Sequence, residues 1–136
     1  FWLTTGRVLE QWHSRTRTGQ VAKLNQKEHG SYVVIHPDDA AQLGIADGEL
    51  VNLHSRRGGC AAVARLSKDI LRGVLFMPIH WQDGNPNWAT SPILDPTSKQ
   101  PELKACAVWL ARSSDLLELG ATLETGERVA TESAGW

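Results

Sequence analysis

Short apolar runs, each broken off by glycine, proline or charged residues, constrain the fold of this 136-residue chain more than any other sequence feature. Several of the runs are rich in β-branched or aromatic residues, which favour strands, and long helices do not alternate with them. Six strands are predicted: at residues 2–5, 32–35, 50–53, 60–66, 74–79 and 105–110. Six short strands with long loops predict a mostly β, closed or nearly closed barrel. The two long loops, which begin at Gly6 and at His80, are expected to open on one side of it.

One helix is predicted within the stretch HPDDAAQLGI. Pro37 suits the first helical position, and the carboxylates of Asp38 and Asp39 favour the positive helix N-terminus. Gly44 can adopt the left-handed conformation that ends a helix. The signals together predict a helix near residues 38–43.

Composition and absent motifs exclude several classes of protein. A net charge of −1 argues against a nucleic-acid-binding module. No apolar run approaches the ~18 residues of a membrane-spanning helix, and no signal segment opens the chain, so a soluble cytoplasmic protein is expected. The chain contains neither a G-x-G-x-x-G nor a phosphate-loop pattern, so a Rossmann sheet is not expected. Without an initiating methionine, Phe1 is expected to lie inside a longer protein.

The first long loop, residues 7–19, concentrates hydrogen-bonding side chains. Arg7 follows Gly6 directly after a strand, where turn amides and a guanidinium can together grip phosphate oxygens. Further donors and acceptors that can contact the edges of a heterocycle follow: Gln11, His13, Ser14, Thr16 and Thr18. Trp12 offers a flat apolar face for stacking. The loop predicts a site for an anionic, ring-bearing ligand; a solvated, salt-bridged loop is the alternative.

The second long loop, residues 80–104, is rich in proline and polar residues, and loops of such length in compact domains are usually functional. It again pairs an imidazole with an indole, at His80 and Trp81. Further polar side chains follow: Asn85, Asn87, Thr90, Ser98, Lys99 and Lys104. Single tryptophans pack more often than they stack on ligands, so packing is expected for Trp81 and Trp88. Lys99 is expected to face solvent.

Catalysis by this chain's own residues is poorly supported. No serine lies in a G-x-S-x-G elbow, and neither Cys60 nor Cys106 lies in evident electropositive surroundings. Both cysteines are expected to be reduced, and the absence of a C-x-x-C pair leaves no zinc or iron–sulfur signature. His36 and His54 flank or occupy strands and are interpreted as structural. The five histidines lack the close spacing of a metal site.

Five motifs, in order, resemble the C-terminal dinucleotide-binding domain of molybdopterin oxidoreductases of the dimethyl sulfoxide reductase family. They are TGRVLEQWHSRTRTG, IHPDDAAQLGIADGELVNLHSRRGG, FMPIHW, NWAT and DPTSKQPELKACAV. The resemblance implies a six-stranded double-psi β-barrel of the aspartate-decarboxylase-like type with short helices at residues 1–110, and a C-terminal extension at 111–136. It also implies binding of bis(molybdopterin guanine dinucleotide) with molybdenum.

The resemblance also implies which residues contact that cofactor. In the first loop they are Thr5, Gly6, Arg7, Gln11, Trp12, His13 and Ser14. In the second they are His80, Asn87, Thr90 and Lys104. The family's usual N-x-L-T is N-W-A-T here, which leaves the packing beneath Asn87 open. No catalytic residue and no metal ligand are implied within the chain.

Within the family, QWHSRTRTG and PIHW are most similar to cytoplasmic assimilatory nitrate reductases, which reduce nitrate to nitrite. Formate dehydrogenases share TGR, the LGI-x-DG turn, SRRG and P-E-x-K, and are the alternative. Either parent would supply upstream domains with the molybdenum ligand and an iron–sulfur cluster, so this chain is expected to bind cofactor without turnover. An alternative of another class is a non-catalytic double-psi binding module, such as the substrate-recognition domain of an unfoldase. It leaves the arginine, histidine and tryptophan loops unexplained.

Overall fold

The computed structural model describes residues 1–114, whose strands form one sheet. Its strands are β1 (Trp2–Gly6), β2 (Tyr32–Ile35), β3 (Leu50–Ser55), β4 (Gly58–Leu66), β5 (Val74–Pro78), β6 (Ala105–Ala107) and β7 (Trp109–Arg112). The helices are α1 (Ala22–Asn25) and α2 (Pro37–Leu43), and 3-10 turns occur at Thr18–Gln20 and Pro86–Trp88. The prediction of a mostly β fold with short helices is confirmed.

The strand order places the starts of the two long polar loops next to each other, at the same end of the sheet. The order is β6-β1-β5-β2-β4-β3-β7, in which β1 runs parallel to β5 and β2 runs parallel to β4. Gly6, at the end of β1, pairs with Pro78 at the end of β5. Residues 7–31 and 79–104 therefore leave the sheet side by side, as the sequence predicted.

The sheet has seven strands rather than the six predicted, because residues 105–110, predicted as one strand, belong to two strands that pair with different neighbours. β6 pairs with β1, and β7 pairs with β3, at opposite ends of the strand order. Val108 alone separates them, and it exchanges two backbone hydrogen bonds of 2.9 Å with Phe1. The sheet thus curls until its outermost strands are consecutive in the chain, which confirms the expected barrel apart from the strand number.

Alternating side chains of the strands fill the interior of the curled sheet. The fully buried apolar residues include Leu3, Val33, Ile35, Val51, Leu53, Leu75 and Met77. Residues 74–79 are a nearly continuous apolar run, which predicts a strand buried on both faces. That prediction is wrong: Val74 and Phe76 are only half-buried, because one face of β5 lines the core. β7 continues two residues past the expected domain limit at residue 110. Most of the expected extension lies outside the described residues and stays a prediction.

Helix α2 confirms the helix prediction together with its end signals. His36 Nδ1 accepts a hydrogen bond from the Asp38 amide at 3.2 Å, so this histidine caps the helix, in line with its structural interpretation. Gly44 ends the helix with a left-handed φ of 66°. The buried Asp39 carboxylate accepts from the Gly73 amide at 2.6 Å, which ties the helix to the turn before β5. No helix in residues 1–114 is long and apolar enough to span a bilayer.

Candidate functional site

The two polar loops are joined by His80, which is only 2% exposed. Its Nδ1 donates to the His13 carbonyl oxygen at 2.6 Å, and its Nε2 accepts from the Val8 amide at 2.9 Å. A carbonyl oxygen only accepts and an amide only donates, so this pairing assigns the ring proton to Nδ1. His80 was predicted to contact the cofactor; in this structure both ring nitrogens connect the loops.

A second set of polar side chains holds the first loop from within, and we call it the Gln11 network: Gln11, Arg15, Thr18 and Asn25. Gln11 is 4% exposed, and its Oε1 accepts from Thr18 Oγ1 at 2.8 Å and from Arg15 Nε at 3.3 Å. Asn25 Oδ1 accepts from Arg15 Nη2 at 2.8 Å, and Asn25 Nδ2 donates to the Gly19 carbonyl at 2.6 Å. Sequence reasoning missed Arg15 and Asn25, because the nine residues between them carry no local signal of the contact.

Three more of the predicted site residues support the backbone of the loops. Thr5 Oγ1 donates to the Leu103 carbonyl at 2.6 Å, and Thr90 Oγ1 donates to the Asn87 carbonyl at 3.1 Å; both threonines are buried. Gly6 packs closely under Phe76, since a Cβ there would come within 2.8 Å of Phe76 Cε2. Thr5 thus ties the end of β1 to the second loop, and Thr90 holds a turn within that loop.

The remaining predicted site residues expose their side chains: Arg7, Trp12, His13, Ser14, Asn87 and Lys104. The Arg7 guanidinium lies 5.4 Å from the centre of the Trp12 ring, which is 58% exposed, so the two form a cation–π pair. Within residues 1–114, the side chains of Arg7 and Lys104 make no hydrogen bond or ion pair. Two cations and an exposed indole are thus available to a ligand.

A cavity of about 370 Å³ opens beside Asn87 and Lys104, near the end of β1. Its lining residues are Thr5, Ile79, Asn87, Gln100, Pro101, Glu102, Leu103 and Lys104. Three of the predicted site residues, Thr5, Asn87 and Lys104, therefore share one cavity, and Glu102 joins them without having been predicted. A second cavity of about 460 Å³ shares residues 100–102 and extends along residues 93–98. An elongated anion can be held by this combination of cation, amide and apolar surface.

The two tryptophans of the second loop differ in burial. Trp81 is 6% exposed and packs near Tyr32 and beneath the Arg15 guanidinium, which lies 5.1 Å from its ring centre. Trp88 is 68% exposed, because the 3-10 turn at Pro86–Trp88 directs it outward. The packing prediction is confirmed for Trp81 and wrong for Trp88. At the departure from N-x-L-T, Ala89 is the fully buried residue beneath this turn.

Both cysteines are free, and burial raises the pKa of Cys60 to about 11 and also raises the pKa of Cys106. The thiolate is the reactive form, so at pH 8 iodoacetamide is expected to alkylate native Cys60 about a hundredfold more slowly than a thiol of ordinary pKa. The rate should climb with pH toward 11, and the urea-unfolded chain should react at the ordinary rate. Rapid alkylation of the native chain at pH 8 would contradict this. Residues 1–114 contain no cluster of three or more His, Cys, Asp or Glu side chains able to hold a metal ion.

Comparison with known families gives one match over most of the chain. A family model described as "Molydopterin dinucleotide binding domain" matches residues 1–107. That segment contains every residue of the two polar loops and of the cavity at the end of β1.

Curated relatives include enzymes that act on two different substrates. The F420-dependent formate dehydrogenase subunit alpha of Methanocaldococcus jannaschii is 45% identical over 82% of this chain and 17% of its own length. A nitrate reductase of Symbiobacterium thermophilum is 42% identical over 83% of this chain and 16% of its own length. The assimilatory nitrate reductase catalytic subunit of Bacillus subtilis is 39% identical over 79% of this chain and 15% of its own length. The chain thus spans about a sixth of the length of these relatives.

Among solved structures, acetylene hydratase from Pelobacter acetylenicus superimposes with a TM-score of 0.72 over 82% of this chain and 18% of that chain. The sequence identity is 19%, so this likeness concerns the fold alone. It supports the curled mostly β sheet described above.

Proposed function

The chain belongs to the molybdopterin dinucleotide-binding domain family of molybdopterin oxidoreductases, and on that premise we propose that it is the C-terminal cofactor-binding domain of a cytoplasmic, molybdenum-dependent assimilatory nitrate reductase. In this proposal the domain binds bis(molybdopterin guanine dinucleotide). Upstream domains of the same enzyme provide the molybdenum ligand and an iron–sulfur cluster, and the enzyme reduces nitrate to nitrite.

The observation that carries the proposal is the set of free donors around the end of β1. A dinucleotide of this kind combines phosphates with planar heterocycles, so its site needs cations, hydrogen-bonding groups and flat apolar surface. Lys104, Asn87 and Thr5 line the cavity of about 370 Å³. Arg7, which pairs with Trp12, follows Thr5 by two residues in the chain. The residues present therefore fit the group in their chemistry.

Each exposed side chain has a distinct role in this proposal. The cofactor, when bound, supplies the redox chemistry at molybdenum. Lys104 provides a point charge to a phosphate, while the planar Arg7 guanidinium can contact two oxygens of one anion. Trp12 covers one face of a ring, and Asn87 can both donate to and accept from a ring edge. The chain's contribution is thus to bind and orient the cofactor.

Nitrate is favoured as the substrate of the whole enzyme by the motifs QWHSRTRTG and PIHW, which are most similar to those of assimilatory nitrate reductases. Formate is the second candidate, because a formate dehydrogenase subunit is 45% identical over 82% of the chain. The test is to purify the full-length protein that contains this chain and assay it in parallel. Reduced viologen with nitrate should give nitrite. Formate-dependent reduction of oxidised viologen without nitrate reduction would favour the second candidate instead.

Replacing Arg7 by alanine in that full-length protein is expected to lower molybdenum content per enzyme. A charge-assisted contact of about 1.5–3 kcal/mol would be lost, which is about tenfold or more in affinity. Because Arg7 is exposed, the melting temperature of this chain should hardly change. Arg7→Lys should restore occupancy only in part, since an ammonium cannot make the bidentate contact.

Lys68→Ala is the matched control for Arg7. Lys68 is an exposed cation just after β4. Because β4 runs antiparallel to β1, it ends at the opposite end of the sheet from the two polar loops. Its loss should leave molybdenum content unchanged. Unchanged occupancy in Arg7→Ala, together with a large fall in melting temperature, would show that Arg7 stabilises the fold and does not hold the cofactor.

A further inference from the structure

The turn that exposes Trp12, His13 and Ser14 has an unusual backbone. His13 has a φ of 45° and Arg15 has a φ of 64°, so two non-glycine residues within three positions are left-handed. Residues with side chains rarely adopt this conformation, and they keep it only where surrounding contacts hold them. Such strain concentrates at sites where geometry serves binding.

Four contacts hold this turn, and none of them comes from an exposed side chain. The carbonyl of His13 accepts from the buried His80 Nδ1 at 2.6 Å. Arg15 is held by Asn25 at 2.8 Å, by Gln11 at 3.3 Å and by the Trp81 ring at 5.1 Å from its centre. The guanidinium of Arg15 is therefore engaged on several sides, in contrast to that of Arg7.

The turn presents three side chains to solvent. Trp12, His13 and Ser14 are all exposed, and none of these three side chains makes a hydrogen bond within residues 1–114. Trp12 and His13 pack edge to face, with ring centres 4.7 Å apart. The backbone of the turn is thus fixed by buried and half-buried groups, while its exposed side chains keep their hydrogen-bonding groups available to a ligand. This is the arrangement of a preorganised binding surface.

We propose that Arg15 and Asn25 are positioning residues that hold the turn at residues 12–15 in its strained conformation, so that Trp12, His13 and Ser14 meet the cofactor in a fixed geometry. This inference rests on the proposed function. Arg15 acts through the backbone of the turn: its Nε and Nη2 bind Gln11 and Asn25, and its guanidinium lies over the Trp81 ring. The Gln11 network removes an ordering cost that would otherwise fall on ligand binding.

The test uses this chain with Arg15→Gly and Asn25→Ala. Glycine accepts the φ of Arg15 without strain but adds backbone freedom of its own. Asn25→Ala removes a contact of Arg15 without introducing a glycine, so loosening that both variants share comes from the lost side-chain contacts. The amides of Arg15 and Gly19, which donate within the turn, should exchange with deuterium about tenfold faster in both variants, with little change in melting temperature. The double variant should exchange no faster than the faster single variant, because both substitutions open one network. Arg17→Ala, an exposed arginine of the same loop, is the control and should leave exchange unchanged.

The ligand side of the test uses guanosine diphosphate as the probe, at millimolar concentration since a Kd near 1 mM is expected for an isolated domain. In the unsubstituted chain, NMR signals of the Trp12 indole and the Ser14 amide should shift saturably. Both variants should weaken that response about tenfold, whereas a merely structural role would lower the melting temperature and leave the affinity unchanged. Equal exchange and equal nucleotide response in variant and unsubstituted chain would overturn the positioning role alone. A complete lack of response in the unsubstituted chain would overturn the proposed function, and this inference with it.

Discussion

Replacing His80 by alanine is expected to lower the free energy of unfolding by about 3 kcal/mol, because it removes a buried ring and leaves two backbone groups unpaired. These groups are the His13 carbonyl and the Val8 amide, whose hydrogen-bond partner within residues 1–114 is the ring of His80. The melting temperature should fall by about 10 °C, as followed by circular dichroism. Urea unfolding should show a lower midpoint with little change in slope.

The matched control is His29→Ala, which removes an exposed histidine from the same chain. Surface substitutions of this kind usually change stability by less than about 0.5 kcal/mol. If His80→Ala melted like His29→Ala, the hydrogen bonds of His80 would not be what joins the loops. The cofactor-contacting role predicted for His80 would then account for it better.

Gly84→Ala should also destabilise the fold strongly, because two separate effects act at this position. Gly84 has a left-handed φ of 77°, in which an alanine costs about 1–2 kcal/mol. A Cβ there would also overlap the Ala61 carbonyl oxygen and the Ser31 side chain, whose hydroxyl donates to the Gly84 carbonyl at 2.8 Å. The overlap should add about 2 kcal/mol, since neither neighbour can move freely.

Gly48→Ala separates the two effects at Gly84. Gly48 has nearly the same φ, 79°, but no heavy atom lies within 4 Å of the position its Cβ would take. Gly48→Ala should therefore show only the conformational cost. Equal melting temperatures for the two variants would mean that the second loop does not pack tightly against the residues before β2.

The sequence predicted those parts of the fold whose signals are local. Helix α2 was found because Pro37, the two aspartates and Gly44 act within ten residues of one another. The β3–β4 hairpin is predicted for the same reason, since the stretch R-R-G-G at residues 56–59 lies directly between two apolar runs. The two polar loops were also predicted to open on one side, and the parallel pairing of β1 with β5 places them there.

What the sequence could not show depends on partners distant in the chain. Nothing in residues 105–110 indicates that the strand pairs with β1 on one side of Val108 and with β3 on the other. Trp81 and Trp88 occur in similar polar surroundings, and only tertiary packing buries the first. Gln11 has the donors and acceptors of a ligand-binding residue, which are equally those of a buried structural one. Residue type thus located the candidate site without separating supporting residues from free ones.

The single residue between β6 and β7 has a consequence for synthesis on the ribosome. Until residues 105–112 have been translated, β1 lacks the neighbour that β6 provides and β3 lacks the one that β7 provides. A nascent chain ending earlier therefore presents two open sheet edges at once, and unpaired strand edges promote association with other chains. Residues 105–112 cover β1 and β3 together, so a premature stop codon in the second loop should yield insoluble protein rather than a smaller soluble domain.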